Sequence, residues 1–184
     1  MQRLFVAIVP PPAIIDRLVD LQWGVRRARW TSPDQVHLTL RFIGEVRDDE
    51  AVALEQALRR VPGRPLTLQV KGVGHFPPKG PVRSLWAGLQ SEDDLHELGA
   101  LRARIDGAFA ALGLARDPRR FVPHITLARL SHAQEEHVAE WIVGRSLFSA
   151  PPFEVNHLVL MRSVLQRSGS EYEVVARVPL REIP

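Results

Sequence analysis

The stretch FVPHITLARL, residues 121–130, alternates apolar and polar side chains as a strand with one face in a core does. Its polar places hold His124 and Thr126. The pattern also stands 87 residues earlier, in QVHLTLRFIG, with His37 and Thr39. Side chains at i and i+2 of a strand share a face. His37 and Thr39 therefore project together while Leu38 and Leu40 turn to a core. His124 and Thr126 do the same against Ile125 and Leu127.

The surroundings of the two strands recur as well. With the chain slid along itself by 87 residues, DDEAVALEQALRR falls on EEHVAEWIVGRSL, Pro65 on Pro152, and RSLWAGL on SEYEVVA. Strand, helix, strand, strand thus repeats without a gap. RLFVAIV and RSLWAGL each precede a helix that leads to a His-Thr strand, at a different offset. The pattern predicts an α+β fold with two pseudo-symmetric lobes, each an antiparallel sheet with flanking helices, around a central cleft. One bilobal domain over 1–184 is expected, with approximate repeat halves 1–90 and 91–184. The seam at Ser91 to Asp94 is too short for independently mobile domains.

The elements follow from spacing. RLFVAIV reads as a buried strand, and Pro11 and Pro12 open a helix with Ile14, Ile15, Leu18, Leu21 and Val25 in its stripe. The first His-Thr strand runs from about Val36 to Ile43. Asp48 or Asp49 caps the next helix, striped by Val52, Leu54, Leu58 and Val61. PLTLQVKGV and RSLWAGL are strands joined by the loop GHFPPKGP. The longest helix spans about 92–113 and stops at Gly113. A short helix from Gln134 to Arg145 follows the second motif, and PFEVNHLVLMR with EYEVVARVPL forms a long hairpin.

Composition narrows the class. The 184 residues suffice for one full core, and 45% hydrophobic with 24% charged is a globular balance. No apolar run nears the ~20 residues of a membrane-spanning helix. MQRLFVAIVPPP has a short apolar run without a small-residue cleavage site, so a cytoplasmic protein is expected. The absence of cysteine excludes disulfides, thiol catalysis and Cys-ligated metals. Arginine outnumbers lysine 22 to 2. That bias suits a phosphate-rich partner, because the guanidinium fork binds phosphate bidentately and stacks on bases. It equally suits an Arg-favouring composition throughout.

Two His-Thr pairs facing across a cleft put two imidazoles and two hydroxyls around one tetrahedral group. The set suits a phosphate ester. A neutral His deprotonates an attacking water, a protonated His donates to the leaving oxygen, and the Thr hydroxyls bind the non-bridging oxygens. Each acid–base role is worth about 10²–10⁴ in rate. Zinc usually takes three protein ligands, and no Asp or Glu stands at i+2 or i+4 of either His; no metal or other cofactor is expected. Strand parity puts Arg41, four residues after His37, on the cleft face. It turns Arg129, five residues after His124, away unless the strand ends or bulges there. Of the remaining histidines, His75 is a candidate for the cleft mouth. His96, His132 and His137 are placed on solvated helices or caps, and His157 is structural. Trp30 and Trp86 are read as packing residues, Trp30 near enough to border a base pocket.

The paired motifs resemble those of the 2H phosphoesterase superfamily. HLTLRFIGEV and RRFVPHITLAR are similar to the bacterial and archaeal RNA 2′,3′-cyclic phosphodiesterases, also called 2′-5′ RNA ligases. RLFVAI, RWTSPDQVHLTLRFIGEV and GVGHFPPKGPVRSLWAGL extend the likeness over nearly the whole chain. The resemblance implies a bilobal 2H phosphoesterase fold with a concave antiparallel sheet in each lobe. It also implies metal-free hydrolysis of an RNA 2′,3′-cyclic phosphate end, or a small cyclic nucleotide, to a 2′-phosphate. His37 is then the general acid toward the leaving 3′-oxygen and His124 the general base. Thr39, Thr126 and Arg129 hold the phosphate, with Arg41 a rival. Phe42, the counterpart of Arg129, stacks on a nucleobase. A monomer without a membrane partner is expected. Three alternatives stand: reversible 2′-5′ end ligation, a sister activity on 2′-5′ oligoadenylate or an ADP-ribose-derived cyclic phosphate, and an RNA-binding module with a vestigial site.

Overall fold

The two His-Thr stretches become neighbouring strands. In the computed structural model, which describes residues 1–90, 94–131, 135–166 and 169–181, β3 (Leu38–Val46) and β6 (His124–Arg129) run antiparallel and meet through Leu38 and Ile125. The other strands are β1 (Gln2–Ile8), β2 (Arg29–Trp30), β4 (Leu66–Phe76), β5 (Ser84–Gln90), β7 (Phe153–Val155), β8 (His157–Gln166) and β9 (Gly169–Pro179). Their order is β7-β4-β5-β6-β3-β1-β8-β9, with β2 added to β6.

That order is symmetric about the β3–β6 contact: β1 flanks β3 as β5 flanks β6, and β8 lies outside β1 as β4 lies outside β5. The halves 1–90 and 91–184 are interleaved across it. β4 and β5, early in the chain, flank the second motif; β8 and β9, late in the chain, flank the first. The sheet therefore does not divide where the sequence repeat does. β5 of the first half pairs with β6 of the second, and β8 of the second half pairs with β1 of the first, and these ladders tie the lobes together.

The helices cover one face of the sheet. α1 (Pro12–Val19), α2 (Asp48–Arg59), α3 (Asp94–Ala110) and α4 (Glu135–Arg145) contribute Leu18, Leu54, Leu58, Leu101, Ile105, Phe109 and Trp141 to a core shared with Leu4, Val6 and Ile8 of β1. Phe109 and Trp141 are among its largest buried side chains, and truncating either to Ala costs about 3–5 kcal/mol. On the opposite face Phe5, Ala7, Val159 and Met161 form a smaller cluster.

Several boundaries differ from the sequence reading. α1 ends at Val19, and Leu21 and Val25 stay buried in the irregular stretch beyond it. Arg47, not Asp48 or Asp49, is the N-cap of α2; its backbone N–H donates to Glu50 Oε2 at 2.8 Å. The two aspartates sit in the first turn, where the helix dipole favours negative charge. β4 runs on to Phe76, which takes His75 out of the loop and into a strand. The first part of the expected closing hairpin is a separate strand, β7, paired with β4. Gln134 and His132 lie outside the described residues.

Candidate active site

A bulge in each motif strand, directly after its threonine, builds the site. Along β1 and β3 the partners run Ile8 with Leu38, Ala7 with Thr39, then Val6 with Arg41, so Leu40 is an extra residue. Along β5 and β6 they run Ala87 with Ile125, Trp86 with Thr126, then Leu85 with Ala128, so Leu127 is the extra residue. Both bulged leucines are buried. A bulge shifts the side-chain alternation by one. Thr39 and Phe42 therefore share a face, as do Thr126 and Arg129.

Arg41 is carried the other way, beside Val6 and the helices. It is 7% exposed and meets Asp106, equally buried, at 2.6 Å. The guanidinium Nε and that carboxylate oxygen approach without hydrogen-bond alignment. Arg41 also donates to the carbonyls of Phe42 and Ala115. Asp117 lies 3.9 Å from Arg41, and its charge-assisted bond with Arg119 holds its carboxyl well below the usual range. The expectation that Arg41 faces the cleft is thus corrected; it braces the loop that delivers β6.

His37 and His124 are held alike. His37 Nδ1 lies 2.7 Å from the Gln35 carbonyl, and His124 Nδ1 lies 2.7 Å from the Val122 carbonyl, each two residues upstream. A carbonyl only accepts, so each Nδ1 carries a proton and Nε2 is the titrating nitrogen. His37 Nε2 meets Thr39 Oγ1 at 2.9 Å. Aromatic rings set the ring planes. Phe5 lies 4.9 Å and Tyr172 5.3 Å from His37; Phe76 lies 4.9 Å and Trp86 6.2 Å from His124. Burial lowers the His37 pKa below the ordinary histidine value. The Gln35 carbonyl opposes that shift, and the charges of Arg129 and His124 add to it.

These groups line one cleft of about 570 Å³. His37, Thr39, Phe42, His124, Thr126 and Arg129 all reach it, together with Trp30. Trp30 is also packed 6.2 Å from Trp141, so it serves both core and cleft. Trp86 is a packing residue as expected, but what it packs on is His124. Arg3, Phe5, Arg29, Gln35, Ser163 and Tyr172 line the cleft as well and escaped the sequence reading. For Arg3 and Phe5 the signal was available, since they alternate with the core residues Leu4 and Val6. For Ser163 and Tyr172 it was not, because no local pattern shows that β8 returns beside β1. The cleft lining includes no Asp or Glu, and among the described residues no three metal-ligating side chains gather.

The other histidines lie elsewhere. His75 donates from Nδ1 to the Pro77 carbonyl, 2.9 Å away, and lines a separate hollow with Val82, Val138 and Ile142. His96 is exposed on α3, while His137 is half-buried on α4 rather than solvated. His157 opens β8 opposite Pro179.

Known proteins resemble the chain in sequence and fold. The model of the 2′-5′ RNA ligase superfamily matches residues 10–167. An RNA 2′,3′-cyclic phosphodiesterase of Thermus thermophilus is 33% identical over 187 aligned positions, covering 97% of this chain and 90% of that protein. One from Archaeoglobus fulgidus is 31% identical, covering 93% and 96%. The crystal structure of E. coli LigT complexed with 3′-AMP superposes with a TM-score of 0.77 at 26% identity, covering 97% of this chain and 98% of that one. With its family matched over most of its length and its fold shared throughout, the chain belongs to the 2′-5′ RNA ligase superfamily.

Proposed function

We propose that the cleft hydrolyses a 2′,3′-cyclic phosphate at the end of an RNA to a 2′-phosphate, without a metal. The observation that carries this reading is the matched anchoring of the imidazoles. Each is locked through Nδ1–H to a backbone carbonyl two residues upstream of it, which leaves two Nε2 atoms to exchange protons in one cleft. Relatives covering nearly the whole chain bear the name RNA 2′,3′-cyclic phosphodiesterase, which supports the substrate class.

The cyclic diester lies between the two motifs. Thr39 and Thr126 donate to its non-bridging oxygens, and Arg129 offsets the negative charge that gathers on phosphorus substituents as water attacks. His124 Nε2 takes the proton of that water. His37 Nε2 gives its proton to the departing 3′-oxygen, which becomes the 3′-hydroxyl, and phosphate stays on the 2′-oxygen. The two histidines end with exchanged protonation and reset through solvent.

One observation favours the opposite assignment. The lowered pKa favours the neutral form of His37, the state a general base needs. The two readings separate with a substrate whose 3′-oxygen is replaced by sulfur, a leaving group that needs no proton. That substrate restores turnover to an Ala variant of the acid and not to one of the base. For the reaction itself, His37→Ala and His124→Ala should each lower kcat by about 10²–10⁴, with the double variant little worse. The assay is phosphorus NMR of a cyclic-ended RNA in chelator. Undiminished turnover in either single variant, or turnover that vanishes in chelator and returns with zinc, would overturn the reading.

A further inference from the structure

Arg29 and Arg129 are direct cross-strand partners in the β2–β6 ladder. Their Cα atoms are therefore about 5 Å apart, and their side chains leave the sheet on the same face. Both line the cleft. Like charges placed opposite each other in a ladder destabilise it. Elsewhere in the chain Arg41, Arg59, Arg119 and Arg162 each meet a carboxylate. Among the described residues no acidic side chain comes within ion-pair distance of Arg29 or Arg129, and the cleft lining includes none.

The repulsion is built in rather than relaxed. Directly after β2, the Thr31 backbone N–H donates to the Leu127 carbonyl at 2.9 Å. Thr31 Oγ1 donates to the Thr126 carbonyl at 3.1 Å, and Gln22 Nε2 donates to the Thr31 carbonyl at 2.9 Å. Trp30 packs on Trp141 from the same strand. Four contacts thus pin a two-residue strand whose exposed member is an arginine facing another arginine.

Resting on the reading above, in which Arg129 serves the reacting phosphate, we infer that Arg29 beside it holds a second phosphate: the one on the 5′ side of the terminal nucleotide. A cyclic phosphate ends its chain, so the only other phosphate of that nucleotide lies toward the 5′ end. From Thr126 to Arg129 the ladder covers two pairing steps, Trp86 to Ser84, or about 7 Å of strand. Arg29, opposite Arg129 in the ladder, thus leaves the sheet at a distance from the His-Thr pairs comparable with one nucleotide of extended RNA. The site is accordingly a reader of RNA ends, and a cyclic mononucleotide without a 5′-phosphate leaves the clamp unused.

The experiment compares adenosine 2′,3′-cyclic phosphate with the dinucleotide ending in the same group, on the full chain. Arg29→Gln should lose about tenfold more kcat/KM on the dinucleotide than on the mononucleotide, mainly through KM, with Arg29→Lys recovering most of it. The salt dependence on the dinucleotide should weaken by about one unit of log–log slope. Arg26→Gln, which removes the same charge from the preceding loop outside the cleft, should change neither. Thermal unfolding should not fall in Arg29→Gln, because a repulsion is removed. Equal losses on both substrates would place Arg29 on the reacting phosphate and overturn the inference; so would no loss on either. If the wild type hydrolyses neither substrate, the catalytic reading fails. Calorimetric binding of the 2′-phosphate dinucleotide to wild type and Arg29→Gln then still decides the clamp: unchanged affinity overturns it, and a tenfold loss sustains it.

Discussion

Phe42 and Arg129 occupy equivalent places in two strands, each just beyond a one-residue bulge that returns it to the cleft face. One position carries an aromatic ring and the other a cation. Phe5 stacks 6.3 Å from the Phe42 ring and the Arg3 guanidinium lies 5.2 Å from its centre. Among the described residues no aromatic ring covers Arg129. Arg129→Gln should lower kcat/KM by roughly 10- to 100-fold, the loss of a charged hydrogen bond to phosphate. Steady-state kinetics on a cyclic-ended RNA check this; a change under twofold would remove Arg129 from the phosphate.

The same substitution should move His37. Arg129 is one of the charges that lower its pKa, so Arg129→Gln raises it toward the ordinary value. NMR titration of the His37 ring reads the shift directly. The effect on stability has a definite sign. Above the unfolded value of about 6.5, His37 is neutral in both states. Below it the unfolded chain takes up the proton first, and stability falls with pH. Urea midpoints measured from pH 7.5 down to 5 should decline less steeply in His37→Gln than in wild type.

Gly74 is packed under the Trp86 indole, and a Cβ added there would lie 2.3 Å from the ring. The indole in turn stands 6.2 Å from the His124 ring. Gly74→Ala should cost about 1–3 kcal/mol by overpacking and lower kcat with it, because the displaced indole disturbs His124. Turnover measured on fully folded protein separates the two effects.

Arg41 makes the contrasting prediction. Replacing it by Met leaves Asp106 without its close partner in the core and weakens the hold on Asp117. A loss of about 3–5 kcal/mol is expected in urea unfolding. Turnover per folded molecule should be retained, since Arg41 lies behind the sheet and not in the cleft.

The histidines and threonines were legible from the residues alone. Their i and i+2 spacing puts each pair on one face of any strand, and the offset of 87 residues announced a pseudo-dyad. The α+β class followed from periodicity in the same way, and so did most of each helix stripe, although Val52 is exposed and Leu21, Val25 and Val61 lie beyond the ends of their helices. Strand parity misassigned Arg41 because a bulge is a property of the pairing: one extra residue against a neighbour, invisible in the strand that carries it. The interleaved strand order lay beyond local reading for a related reason. Which strand β4 or β8 pairs with depends on long-range ladders, and Arg29 meets Arg129 only because one such ladder exists. Residue spacing alone dictates which side chains share a strand face, through the fixed geometry of the extended backbone. The tertiary structure alone decided which strands adjoin and where their alternation slips, because those depend on contacts between residues far apart in sequence.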